Sequence, residues 1–202
     1  MTAGTAMQLT TSNRERICLA CTEKRCCSYY TVTLTGRDVW RIALHLQLSP
    51  LDFVRYAPAE KAEGRFVLAP DGQFYELLLA KRPLPPPLPS PCVFLMRTND
   101  AYGVCGLGAL RPGQCRAYPV YLQNDRIGVI NDPDGCVRTW SYGDIDLEEE
   151  DQPLRRLMGE EAEHRQIVRE WNQRVHKRGQ ERTFQDFCTY LVNRYAALEG
   201  PR

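Results

Sequence analysis

The sequence predicts an α+β fold in which short β-hairpins hold a cysteine cluster, helices supply most of the core, and the chain ends in a helical hairpin. Three observations predict it. Eight of the nine cysteines fall between positions 18 and 136. The middle of the chain alternates β-prone runs with turn signals. From about Pro153 onward, apolar residues recur mostly at three- and four-residue spacings.

At 202 residues and 43% hydrophobic content, the chain can bury a core in one domain. It divides into a flexible, polar N-terminus (1–16), a cysteine-cluster metal-binding domain (17–147) and a C-terminal helical segment (148–202) packed on that same domain. A net charge of +1, with both signs intermixed, provides no electrostatic footprint for nucleic acid or anionic membrane. The most apolar stretch, 74–80, is far too short to cross a bilayer, and 1–16 has no signal-peptide core. The expected compartment is therefore the cytoplasm, where thiols stay reduced and available as ligands.

Residues 28–34 mix β-branched and aromatic residues and predict a short strand. Thr35, with Asp38 three residues on, predicts the N-cap of a helix over 36–47. Ser49-Pro50-Leu51-Asp52 repeats that signal and predicts a second helix through about Tyr56. Residues 65–69 and 73–81, joined by Pro70-Asp71-Gly72, predict a hairpin. The proline-rich run 82–91 predicts an extended polyproline II spacer rather than a docking motif. Two further hairpins are predicted, 92–97 with 101–105 and 118–122 with 126–130. The acidic run 148–151 suits a helix N-terminus, and Thr183 with Asp186 caps a last helix to about Leu198, the two helices turning at Gly179.

Thiolate is a soft ligand that selects zinc, copper(I) or iron-sulfur clusters. Cys18 and Cys21 have CxxC spacing, and the adjacent pair Cys26-Cys27 follows four residues later. With zinc–sulfur bonds of about 2.3 Å, tetrahedral ligand sulfurs sit only about 3.8 Å apart. Neighbouring side chains of an extended backbone diverge, so Cys26 and Cys27 are expected on different metal atoms, of one cluster or of two sites. Cys92, Cys105, Cys115 and Cys136 complete the constellation. Pro and Gly near Cys92, Cys115 and Cys136 predict tight turns whose amides face coordinated sulfur. Arg111 and Arg116 are candidate cofactor-binding residues that would offset thiolate charge.

The pattern Cys18-x2-Cys21-x4-Cys26-Cys27, followed by Cys92-Val93-Phe94-Leu95, Cys105 and Arg111-Pro112-x2-Cys115-Arg116-x-Tyr118-Pro119, resembles the YkgJ-type cysteine-cluster proteins, the CxxCxxCC zinc- or iron-chelating family. The resemblance spans about 18–136. It departs from the family at Thr22 to Arg25, four residues where the family usually has about two. It implies an iron-sulfur or zinc protein, and a related cysteine pattern in flagellin lysine methylases implies an association with methyl transfer.

The remaining chemistry-bearing residues read as structural. Cys188 lies on the apolar side of the last helix with Phe184, Phe187, Leu191 and Tyr195. His45, His164 and His176 are lone helical histidines without a paired-His motif, and Gly106-Leu107-Gly108 lacks the frame of a nucleotide loop. No nucleophile–base pair is evident, so no catalytic residue is assigned. The expected function is cytosolic metal binding, with a cysteine-ligated [4Fe-4S] cluster as the leading cofactor. The alternatives are Zn2+ in four-cysteine sites, and a component of a methyl-transfer or redox enzyme acting with a protein partner.

Overall fold

Capping residues set where the helices begin. The computed structural model describes residues 12–97 and 103–200, and over these the chain is α+β. In α3 (Gly36–Leu46) Thr35 Oγ1 accepts from the Asp38 amide, while Asp38 Oδ2 accepts from the Thr35 amide. The same reciprocal box, Thr183 with Asp186, opens α7 (Phe184–Glu199). These satisfy amides that a helix N-terminus otherwise leaves unpaired. The long helix α6 (Leu147–Arg178) begins before the expected Pro153, because Asp146 accepts from the amides of Glu148 and Glu149 and three glutamates fill the first turn. It ends at Gly179, whose φ of 58° reverses the chain toward α7.

The shorter elements are α1 (Asn13–Ala20), α2 (Cys26–Tyr29), α4 (Pro50–Phe53) and α5 (Gly113–Ala117). Three separate two-stranded antiparallel sheets accompany them. β1 (Val54–Pro58) pairs with β2 (Tyr75–Leu79), from Val54 opposite Leu79 to Pro58 opposite Tyr75. β3 (Leu95–Arg97) pairs with β4 (Gly103–Cys105), and the expected turn between them lies outside the described residues. β5 (Val120–Gln123) and β6 (Arg126–Val129) form the expected hairpin. Their turn residues Asn124 and Asp125 have φ of 50° and 56°, as a two-residue hairpin turn requires.

Several local expectations are corrected. The helix opened by Ser49 stops at Phe53, and the chain passes directly into β1. The expected hairpin partner of β2, residues 65–69, keeps only the bridge Phe66 to Tyr75. Its backbone is claimed by α6 instead: Trp171 Nε1 donates to Val67 O at 2.7 Å, and Asn172 bonds both the Val67 amide and Arg65 O. Residues 28–34 form no strand. A helical turn, α2, replaces its start, and only Thr33 bridges to β2. The proline run is a closed loop rather than an extended spacer, since the Arg82 amide donates to Pro91 O at 2.8 Å and Lys81 bridges to Cys92. The N-terminal segment is already in α1 from Asn13, with Ser12 and Arg14 buried; 1–11 lie outside the described residues.

The main core joins α3, α6 and α7 to the β1–β2 ribbon through Val39, Ile42, Val54, Leu77, Val168, Trp171, Phe187 and Leu191. Phe66 stacks on Phe187 with centroids 3.9 Å apart. Cys188 is 2% exposed, the packing role expected of it. A smaller core of Val120, Trp140, Ile145 and Leu154 underlies the β5–β6 hairpin. The thiols sit between the two cores.

His164 is buried and accepts from the Gly36 amide at 3.1 Å, which fixes the start of α3 against α6. Burial, reinforced by Arg65 and Arg165, holds its pKa down to about 4. The folded value lies below the unfolded value of about 6.5, so the unfolded chain takes up the proton first. The contribution is complete above pH 6.5 and is lost as pH falls toward 4. Urea denaturation should show a loss of roughly 2 kcal/mol between pH 7.5 and 5 that His164→Asn lacks, both proteins being in one metal-loading state. Identical pH slopes would refute this role.

Candidate metal centre

The cysteines arrive on short elements, each tied by backbone hydrogen bonds. Cys18 lies in the last turn of α1. Lys24, itself buried, donates from Nζ to Cys18 O at 2.6 Å and Leu19 O at 2.9 Å. It thereby satisfies the carbonyls a helix C-terminus leaves open. With φ of 50° at Lys24, the chain reverses into α2, which begins with Cys26 and Cys27. The Cys92 amide then donates to Cys27 O at 2.7 Å, and the Gly103 amide to Thr22 O at 2.6 Å. These two bonds join the N-terminal loop to the middle of the chain.

Cys105 ends β4 opposite Leu95, and α5 carries Cys115. The Gly113 amide donates to Asp38 Oδ1 at 3.0 Å, which ties α5 to the buried cap of α3. A side chain at 113 would displace the Leu157 methyl, so α5 packs closely on α6 there. Arg14 fixes the far end of α5. It donates to Arg116 O at 2.6 Å and Tyr118 O at 2.7 Å, while its remaining nitrogens bond Glu150 at 2.8 and 2.6 Å. Both partners of that ion pair are buried, at 3% and 1% exposure.

Together these elements enclose a cavity of about 80 Å3 lined by Cys18, Cys26, Cys27, Cys92, Cys105 and Cys115. Lys24, Lys81 and Arg111 share the lining with the apolar Val32, Leu79 and Leu107. Cys21, at the end of α1, is outside it. Cys136 is also outside, within hydrogen-bond reach of the Tyr118 hydroxyl and packed against the smaller core. The two arginines separate as well. Arg111 lines the cavity and pairs with Glu15 at 2.7 Å. Arg116 lies outside the lining, 3.6 Å from Glu15. The lysines were missed at the sequence level, because nothing local marks Lys24 or Lys81 as facing thiols.

Cys26 and Cys27 lie in a helical turn, not in extended backbone, so their side chains do not diverge as expected. The Cys27 thiol donates to the Cys26 sulfur, and this bond, helped by Lys24 and Arg111, brings Cys26 down to about 7. Cys27 is pushed up by the same bond and by burial. Burial likewise raises Cys18, Cys92 and Cys115, and neighbouring thiols add to each shift. Lys81 is shifted down by burial, which the nearby Cys92 and Cys27 partly oppose. The cavity therefore resists carrying several thiolates on its own lysines and arginine.

All nine cysteines are free thiols. Among the described residues, no three His, Cys, Asp or Glu side chains form a group that would hold a single metal ion. The thiols surround a space rather than meet at a point. As a donor set, soft sulfurs facing a small cavity with cationic neighbours suit a polynuclear thiolate-bound centre. Among the described residues, no helix is long and apolar enough to cross a membrane.

The Arg14–Glu150 pair positions the Cys115 segment from outside the thiols. Removing one partner strands a buried charge, so Arg14→Ala should lose about 3 kcal/mol or more in urea unfolding, whereas the double variant Arg14→Met/Glu150→Leu should lose less. A loss under about 0.5 kcal/mol for the single variant would contradict the arrangement.

Set against family profiles, characterised proteins and solved structures, the chain matches none of them.

Proposed function

We propose that the protein is an iron-sulfur protein whose cavity cysteines hold a [4Fe-4S] cluster. The carrying observation is the convergence of Cys18, Cys26, Cys27, Cys92, Cys105 and Cys115 on one cavity of about 80 Å3. Cys92, Cys105 and Cys115 are its ligands from the middle of the chain, and the pair Cys26-Cys27 supplies the remainder. Cys115 feels the charges of Cys92, Cys26 and Cys105, and Cys27 those of Cys105 and Cys115, which supports one shared centre. Lys24, Lys81 and Arg111 offset the negative charge that four thiolates bring.

Bound there, a cluster of this kind supplies one-electron transfer. The chain's own part is to bury the thiols, exclude water with Val32, Leu79 and Leu107, and tie two distant segments together. Metal binding then contributes directly to folding, since the ligands are far apart in sequence. The zinc alternative rests on the same soft thiolates, and the methyl-transfer alternative on the sequence resemblance alone.

Anaerobic purification with iron, zinc and acid-labile sulfide assayed together tests the proposal. The protein should be brown, with stoichiometric iron and sulfide. Cys92→Ser and Cys115→Ser should lose both, whereas Cys21→Ser and Cys136→Ser should keep them. Colourless protein carrying zinc without sulfide, or full iron and sulfide in Cys115→Ser, would overturn it.

A further inference from the structure

A second cavity, of about 420 Å3, backs onto the thiol cavity. Tyr30, Val32, Cys115 and Tyr118 line both. Its other walls come from the β5–β6 hairpin and α6 and are mainly apolar, Leu122, Ile130, Leu154 and Leu157 among them. Three tyrosines, Tyr30, Tyr118 and Tyr121, present rings or hydroxyls to it. Its charged lining residues are both acidic, Asp132 and Glu161, and no lysine, arginine or histidine is part of that lining.

We propose that this cavity binds a small organic cation, a primary amine carried on an apolar or aromatic body. The volume matches a small-molecule site, and apolar walls with a few polar groups are what such sites present. Charge sets the ligand class. An anion would face two carboxylates with no cation in the lining, whereas an ammonium would meet a carboxylate within a tyrosine-lined wall.

Each acid contributes differently. Asp132 accepts from Tyr30 at 2.8 Å and from the Asp134 and Gly135 amides at 3.0 and 3.2 Å, so its carboxylate is fixed in place. Tyr30 in turn lies 3.1 Å, oxygen to oxygen, from Tyr118, and a side chain at 135 would collide with the Tyr30 ring. Glu161 has no hydrogen-bond or salt-bridge partner among the described residues, and burial raises its pKa. An incoming ammonium would favour the ionised carboxylate and so offset that desolvation. The opposing influences, Arg25 on Asp132 and both Arg165 and Arg65 on Glu161, come from side chains outside the lining; the two that act on Glu161 line a neighbouring groove with it.

The site does not depend on the metal reading, and its test keeps the two apart. Calorimetry on the anaerobically purified protein would compare 2-phenylethylamine with the neutral 2-phenylethanol and the anionic 3-phenylpropionate, iron and sulfide being assayed on the same sample. The amine should bind at least about tenfold more tightly than the carboxylate, the weight of one charge-assisted contact. Glu161→Gln should reduce amine affinity roughly tenfold and leave the alcohol nearly unchanged. Met158→Arg, at a rim residue 47% exposed, should abolish binding of the amine without altering the thermal melt. Equal affinity for the three probes, no binding by any, or indifference to both substitutions would overturn the site. Amine binding by protein that lacks iron and sulfide would leave the site standing while the cluster falls.

Discussion

Half-buried thiols crowded around one cavity are the constraint around which this structure is arranged. Cys18, Cys26, Cys27, Cys92, Cys105 and Cys115 face one cavity of about 80 Å3. Burial works against ionising most of them, and each thiolate formed makes the next harder to form. Only Cys26 comes down toward neutrality, because Cys27 donates to it. Lys24, Lys81 and Arg111 supply local positive charge, yet Arg111 is committed to Glu15 and Lys24 to two carbonyls. Iron would supply the missing cationic charge. Without it most of the thiols stay protonated, and the proposed cluster would complete the cavity by taking them as thiolates.

The rest of the fold holds those thiols in register. The main core of α3, α6 and α7 packs against Cys92 and Cys105, while the smaller core beneath β5–β6 abuts Cys18 and Cys136. Between the two, polar ties set the loop positions. Cys92 bonds Cys27 through the backbone, Gly113 bonds the Asp38 carboxylate, and Arg14 joins α1 to α5 and α6. An Arg14–Glu150 pair so fully removed from water carries a large desolvation cost, which its hydrogen bonds to Arg116 O and Tyr118 O help offset. The same α5 segment forms a wall of the larger cavity, so one set of ties positions the walls of both cavities.

How much of this was legible in the sequence depended on the range of the interaction. Capping boxes at Thr35 and Thr183 and the Asn124-Asp125 turn are written within four residues, and they appear where expected. Pairing of β2 with β1 was not legible, because Asn172 and Trp171, about a hundred positions away, remove residues 65–69 from competition. The α2 turn was hidden in the same way, since the positive φ of Lys24 is stabilised by contacts back to α1. For the site, six of the eight clustered cysteines do converge, while Cys21 and Cys136 lie outside the cavity. CxxC spacing gave no hint of that division, because which sulfur points inward is decided by the end of α1 and by the Tyr30–Tyr118 pair. Arg111 and Arg116 look alike in sequence, yet only Arg111 lines the cavity.

Anomalous diffraction at the iron and zinc absorption edges, from crystals grown anaerobically, tests the thiol-bound centre most directly. The arrangement predicts a compact iron peak inside the cavity, bounded by Cys92, Cys105 and Cys115 and by the Cys26-Cys27 turn, with no zinc peak. A zinc peak alone, or iron bound away from those sulfurs, would contradict it.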